Sequence, residues 1–547
     1  MASAAFGDVP AAGVGLRARL AHPKGPLVLP AGKRHRLTLK FADGVRARAI
    51  ANGQLSFLGG DIPAGLAAVI ERYRLRLKPV YDDVGRMEWM CRRAAERSGR
   101  QQPDMNGTMR VEVLSRADVM AVARALQSLE CVESVDIESM DVLPPPPGDI
   151  SPPTPNLESL QAYRGANPGH DADYARARGA EGAGVRFSDC EYAYDPSHED
   201  LVDAGIVNRS RAPFDPMALS YDDHGTAVLG ISQAPNNGYG ISGIAPRASG
   251  AFYSEYTTAG YSREGAIEDA IADSDVGDVI LLEMQTTGAG GGYVAAEYSS
   301  TVWNKTKIAT DSGIIVVAAA GNGNQDLDGS AYAAYRARGD SGAIIVGAGS
   351  ANATHSKMSF STYGTRVNVQ AWGESVATTG YGSYARYGND DRQSYRSDFN
   401  GTSSASACVA GVACAVQSYA KARLGTALSP AEMRGLLQAT GHAQGGTGGR
   451  IGPSVSLSGA LDALPGRNLR EGGCSVITSA QGDVSVCFVG IPFRSYRIEA
   501  SPDLVAWSTL ESRIVAGIGP THRTLGGAAL GFAARFFRVV EEGSAAP

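Results

Sequence analysis

The hydrophobic rhythm of the chain changes three times. Arg36-Leu37-Thr38-Leu39-Lys40-Phe41 alternates polar and apolar residues, which predicts a strand with one buried face. Residues 63–77 space their apolar positions as a helix does. Met109-Arg110-Val111-Glu112-Val113 alternates again, residues 118–129 read as a helix, and residues 132–137 return to alternation. These signals predict a small α+β domain over residues 31–142 that ends β–α–β. Residues 1–30 are rich in Ala, Gly and Pro without periodicity and are expected to be disordered. Residues 143–160 open with Leu143-Pro144-Pro145-Pro146-Pro147-Gly148. Proline fixes φ and carries no N–H, so this stretch predicts an extended linker.

Between residues 161 and 465 the pattern becomes short, continuously apolar runs alternating with helical stretches. Asp278-Val279-Ile280-Leu281-Leu282, Gly313-Ile314-Ile315-Val316-Val317-Ala318 and Gly342-Ala343-Ile344-Ile345-Val346-Gly347 are three such runs. Runs of this kind suit parallel strands buried on both faces, and their alternation with helices predicts an α/β open sheet. Residues 466–547 shift to short alternating strands with turns, which predicts a small β-sandwich, with residues 541–547 frayed.

Composition narrows the function classes. Apolar residues make up 43% and charged residues 19% of 547, as in globular proteins. The formal net charge of −6 argues against a nucleic-acid partner, which needs basic surface to neutralise phosphates. No run of about 18 apolar residues predicts a membrane span. The first residues lack the basic start and apolar core of a secretory signal. The seven cysteines are sparse and odd in number, so they describe no disulfide framework, although Cys474 and Cys487 flank a short polar stretch where pairing is conceivable. The other five read as buried thiols.

Four segments carry chemistry. The first is Ser188-Asp189-Cys190-Glu191-Tyr192, followed by Ser197-His198-Glu199-Asp200-Leu201. The second is Asp222-Asp223-His224-Gly225-Thr226, the third Ala318-Ala319-Ala320-Gly321-Asn322-Gly323, and the fourth Asn400-Gly401-Thr402-Ser403-Ser404-Ala405-Ser406. A serine hydroxyl needs a neutral imidazole within reach to become a nucleophile, and an acid to orient that imidazole. In this order the segments resemble the subtilase family, over about 300 residues and with a further match at Gly243-Ile244-Ala245-Pro246. The resemblance implies a subtilisin-like open, mostly parallel sheet with helices on both faces. It implies a serine endopeptidase with Ser403 as nucleophile, His224 as general base and acid, and Asn322 as oxyanion-hole donor. Gly225 and Thr226 suit a helix that begins just after His224. The small-residue run after Ser403 suits a buried helix whose first N–H groups face the developing oxyanion.

The acid departs from the family pattern. The usual aspartate stands seven residues before the histidine of a His-x-Asp-Leu stretch; here that histidine is His198 and the position is Glu191. Asp189 lies two residues earlier on the same strand face. Glu191 is favoured as the triad acid, with Asp189 the alternative. Asp195, Asp222 and Asp223 read as turn and solvated-face residues. The substrate edge matching the family is Leu282-Glu283-Met284-Gln285, where Glu283 and Gln285 depart from the pattern. Glu283 is read either as a determinant of preference for basic residues or as a buried, paired carboxylate.

The remaining expectations are coarser. Residues 31–142 loosely resemble a subtilase propeptide, an intramolecular partner that templates folding and blocks the cleft, with cleavage between residues 142 and 163. The C-terminal sandwich reads as a binding or stabilising module. The resemblance implies a secreted or periplasmic protein acting on protein or peptide substrates. No cofactor is called for. Asn324, Asp326 and Asp328 form an oxygen-rich loop, but no metal is assigned. Gly339-Asp340-Ser341-Gly342 mimics the nucleophile motif of an unrelated protease fold and reads as a turn leading into a strand. A catalytically silent subtilase fold serving as a binding or scaffold protein is the rival reading.

Overall fold

The computed structural model describes residues 25–29, 35–49, 55–57, 60–63, 65–81, 83–114, 118–139, 154–465, 474–531 and 535–542. Its N-terminal unit contains β1 (His35–Phe41), α1 (Leu66–Tyr73), β2 (Leu75–Pro79), α2 (Val84–Ser98), β3 (Thr108–Val113), α3 (Val119–Gln127) and β4 (Val132–Ser139). The strands form an antiparallel sheet in the order β2–β3–β1–β4. Leu37, Leu39, Met109 and Val111 bury against Val122 and Leu126 of α3, whose first turn is capped by Asp118.

Two readings of this unit change. The helix expected over residues 63–77 stops at Tyr73. Arg74 turns left-handed at φ 53°, and Leu75 and Leu77 then alternate with exposed Arg76 and Lys78 as strand β2. Helix α2 was not foreseen, because its many charges dilute the periodicity. Its buried stripe is Met87, Met90 and Ala94, and Asp83 caps it. Of the N-terminal stretch expected to be disordered, residues 1–24 and 30 lie outside the described residues. Residues 25–29 are placed, with Leu27 against the core of the unit and the Gly25 carbonyl accepting from Gln127.

The central body is built on a seven-stranded, all-parallel sheet. In chain order its elements are β5 (Arg186–Glu191), β6 (Val207–Asn208), α4 (Asp222–Gln233), β7 (Ser249–Ser254), α5 (Arg263–Asp273) and β8 (Val279–Leu282). There follow an antiparallel hairpin of β9 (Gln285–Thr287) and β10 (Tyr293–Ala295), then α6 (Ser300–Asp311), β11 (Ile315–Ala319), β12 (Ile344–Gly349), β13 (Val369–Trp372) and α7 (Thr402–Leu424). The strand order is β13–β12–β11–β8–β5–β7–β6. Alternate strand residues go to opposite faces, and both are covered. Phe187, Leu281 and Val317 meet α4 and α7, while Cys190, Ile280 and Val316 meet α5 and α6. Such two-sided burial is why these strands read as unbroken apolar runs. The long helix α7 is buried along almost its whole length.

The N-terminal unit docks on the second of these faces. Met87, Met90 and Ala94 of α2 join the core formed with α5 and α6. Asp136 of β4 accepts from the backbone N–H and hydroxyl of both Ser300 and Thr301, at 2.8–3.3 Å, so it caps the start of α6 from outside. Arg36 pairs with buried Glu264 and donates to the Tyr261 carbonyl.

Of the linker expected over residues 143–160, only residues 154–160 are described. Residues 140–153 lie outside the described residues. Residues 154–160 pack on the central body: Asn156 bridges to Gly240, and Leu157 is buried beside Ile241 and Tyr395. The C-terminal region forms two three-stranded antiparallel sheets, Ser475–Thr478 with Val484–Val489 and Pro520–Leu525, and Ser508–Val515 with Ser495–Ser501 and Phe536–Glu541. Val484, Val486, Phe488, Tyr496, Ile498 and Ile514 close their shared core. Buried Arg494 ties this region to Glu432 of the central body through two hydrogen bonds of 2.6 and 2.8 Å. All seven cysteines are free thiols. Cys474 and Cys487, entertained above as a pair, are both free thiols, and Cys487 Sγ lies 3.7 Å from His522 Nε2.

Candidate active site

The sheet's carboxyl edge places an acid, an imidazole, an amide and a hydroxyl in one cleft. Glu191 is the last residue of β5. His224 sits in the first turn of α4, which begins at Asp222 rather than after the histidine as expected. The helix passes so close to the chain after β5 that a Cβ at Gly225 would stand 2.3 Å from the Ala193 carbonyl oxygen; only glycine allows this approach. His224 Nδ1 donates to Glu191 Oε2 at 2.5 Å, and both side chains are buried. Because a carboxylate only accepts, Nδ1 carries the proton and Nε2 is left with a free lone pair. The ring also meets Phe399 edge to face.

Electrostatics favour the charged imidazole. Burial alone would lower the pKa of His224, but the charge and hydrogen bond of Glu191 outweigh it, and the net shift is upward. Asp189, the alternative acid, is fully buried two residues back, and neither of its oxygens has a hydrogen-bond partner. Burial, with Glu191 and Glu283 nearby, holds its carboxyl far above the ordinary range. Asp222 and Asp223 are half-buried rather than solvated. Burial beside Asp223 pushes Asp222 up to about 7, and Asp223 accepts from the Tyr381 N–H.

Ser403 is the second residue of α7, whose N-terminal turn follows Gly401 at φ 104°, a conformation suited to glycine. Asn322 follows β11. Its Oδ1 accepts from the Thr402 N–H at 2.8 Å and the Thr402 hydroxyl at 3.0 Å. Two donors on that atom identify it as the oxygen, so the Asn322 NH2 is left free for another acceptor. Gln285 steadies the same residue by accepting from its backbone N–H at 3.0 Å. Glu191, His224, Asn322 and Ser403 line one cleft of about 360 Å³. Thr402 and Phe399 were given no role by sequence, and Gln285 was expected only as substrate edge. Thr402 stood beside the serine and only its amide geometry reveals its part.

The expected substrate edge divides. Glu283, Met284 and Gln285 line the cleft, whereas Leu282 is buried in the core behind it because it is the last paired residue of β8. Glu283 Oε1 meets the Ser406 hydroxyl at 2.5 Å. The Glu255–Arg263 ion pair, buried at 2.7 Å, forms another wall. Ser341 is buried, donates to Glu297 and leads into β12, as a strand-leading turn should. Asp326 and Asp328 are engaged locally, Asp326 with the Asp328 N–H and Asp328 with Thr365.

Fold and cleft together define a serine-type endopeptidase built on a parallel α/β sheet, and comparison with known proteins agrees. Residues 187–457 match the model of the Subtilase family. Subtilisin DY of Bacillus licheniformis is 30% identical over 251 residues, which cover 45% of this chain and 81% of that protein. Thermitase of Thermoactinomyces vulgaris is 30% identical over 273 residues, covering 49% and 85%. The Extracellular protease of Xanthomonas campestris is 30% identical over 263 residues, covering 45% and 41%. The chain belongs to the subtilase family. Among the described residues no helix is long and apolar enough to cross a membrane.

Proposed function

We propose that the protein hydrolyses peptide bonds through an acyl-enzyme on Ser403. His224 Nε2 takes the Ser403 proton as the hydroxyl attacks the scissile carbonyl, then returns it to the leaving amine. Glu191 holds the ring by Nδ1 and stabilises the imidazolium. Asn322 Nδ2 and the first-turn N–H groups of α7 receive the developing oxyanion. The observation that carries the reading is the 2.5 Å bond between Glu191 and His224 Nδ1 within the cleft that also holds Ser403 and Asn322. A glutamate thus takes the place the family gives to aspartate, and Asp189, without contact to the ring, is assigned no part in the triad.

Glu283, Met284 and Gln285 form the proposed substrate wall. Residues 31–142 are proposed as a propeptide-like unit, supported by β4 running beside the cleft wall β9 and by Asp136 capping α6. Residues 161–465 form the proposed catalytic domain and residues 466–547 the accessory one. Export is proposed on the strength of a relative named as extracellular.

Labelling by a fluorophosphonate tests the core of the reading. The wild type should label and S403A should not; E191A should lose labelling while D189A keeps it. A wild type inert to the reagent, with the cleft open, would leave the scaffold reading standing instead.

A further inference from the structure

A third carboxyl, that of Glu283 in the proposed substrate wall, stands at the floor of the cleft with no part in the triad. Glu283 follows the last residue of β8. Leu282 pairs with Cys190, so Glu283 comes level with Glu191 on the neighbouring strand, and both face the side covered by α4 and α7. Glu283 is only 8% exposed.

Its hydrogen bonding accommodates a proton, and the burial of its second oxygen favours one. Ser406 Oγ lies 2.5 Å from Glu283 Oε1, 2.7 Å from the Thr402 carbonyl one turn earlier in α7, and 3.2 Å from the Ser403 carbonyl. A hydroxyl has one proton to give, and a backbone carbonyl can only accept. When the Ser406 proton goes to one of these carbonyls, the proton in the 2.5 Å contact comes from Glu283; when it goes to Glu283, the carboxyl only accepts. The other oxygen, Oε2, has no partner and is buried. An ionised Glu283 would place a poorly satisfied charge beside a second carboxylate.

The titratable and hydroxyl groups around Glu283 are Asp189 and Glu191 from β5, His224 from α4, and Ser403, Ser406 and Cys408 from α7. The adjoining strand β11 presents only alanines at this level, Ala318 and Ala319. Among these only His224 becomes a cation, on protonation; Arg263, also lining the cleft, is paired with Glu255.

We propose that Glu283 is a proton-bearing positioning residue: as the neutral acid it ties the first turn of α7, and with it Ser403, to the end of β8, and its deprotonation shuts the centre down. The inference rests on Ser403 and His224 acting as proposed above. Burial pushes the Glu283 carboxyl up to about 8, so the proton is held at neutral pH and lost in mild alkali. The resulting anion accepts from the Ser403 hydroxyl, in competition with His224, and adds negative charge where an oxyanion must form. Activity then has an alkaline limb set by Glu283 as well as the acid limb set by His224.

The test is the rate of fluorophosphonate labelling, together with kcat/KM on an uncharged peptide anilide, from about pH 5 to 10. The wild type should fall with a midpoint near pH 8. E283Q can still donate to Ser406 but cannot ionise, so its profile should stay flat on the alkaline side. E283A loses the tie and should be slower by about tenfold or more at every pH. A wild-type profile flat from neutrality to about pH 10, an E283Q fall with the wild-type midpoint, or equal rates for E283A and E283Q would each overturn the proposal. Should E283Q not fold, E283D decides: the shorter acid should keep an alkaline limb with a displaced midpoint, and an unmoved midpoint overturns it. Labelling that survives in S403A would strike the triad reading instead, so the two failures are distinct.

Discussion

Shortening Glu191 by one methylene is the most informative single change in this protein. In E191D the carboxylate retreats by about 1.5 Å, one carbon–carbon bond. The Nδ1 contact of 2.5 Å then opens to roughly 4 Å, beyond hydrogen-bond reach. With an effective dielectric near 20, the attraction between the acid and the imidazolium drops from about 7 to about 4 kcal/mol. That difference of about 2.5 kcal/mol corresponds to roughly 70-fold in rate, before the loss of ring orientation is counted. E191Q keeps the shape but not the charge, and should cost about 10⁴-fold, as expected when the orienting acid of a triad becomes an amide. The pH profile supplies a second readout. Glu191 is what raises the His224 pKa against the lowering effect of burial. Wild-type activity is lost as pH falls through that raised value, and E191Q should shift the acid limb to lower pH. The assay is kcat/KM on a peptide anilide across the acid range, with fluorophosphonate labelling to count active sites. E191D at wild-type rate, or an acid limb that stays put in E191Q, would refute the reasoning.

Three further outcomes follow from the same structure. N322A should lower kcat by about 10²–10³-fold with little change in KM, because the lost amide donor serves the transition state; steady-state kinetics on the same substrate checks it. Asp189 keeps its proton in the fold while an unfolded aspartate loses it near pH 4, so its native-state stability declines as pH rises above that point. D189N should therefore raise Tm at pH 7 to 8 by about 2–4 °C for each kcal/mol relieved and do little near pH 4; a pH-independent difference in thermal unfolding would contradict this. D136A removes the acceptor of two backbone N–H groups at the start of α6 and should weaken docking of the N-terminal unit by about 10-fold or more, read as faster appearance of the shortened chain on a gel time course.

Much of this was legible in the chain itself, and the exceptions have physical causes. The buried parallel strands declared themselves as unbroken apolar runs, and the spacing from His198 pointed to Glu191, the carboxylate that meets His224 Nδ1 in the structure. Leu282 was misread as substrate wall because sequence does not tell which residue of a strand end turns inward. Helix α2 was missed because a three-residue apolar stripe carries a helix when a second body covers it. The opening of α4 was placed late because Asp222 and Asp223 resemble a loop, although acids suit a helix N-terminus. The bond between Glu283 and Ser406 joins residues 123 positions apart and no local pattern announces it.

The cap that Asp136 places on α6 makes the first two amides of a central-body helix depend on a neighbour, while Ser299 caps Val302 from within. When that neighbour leaves, the amide protons of Ser300 and Thr301 pass from a carboxylate to solvent while those deeper in the helix keep their carbonyls. Two deuterium-exchange signals at this one spot therefore report, in the intact molecule and without any probe attached, whether the N-terminal unit is seated or gone.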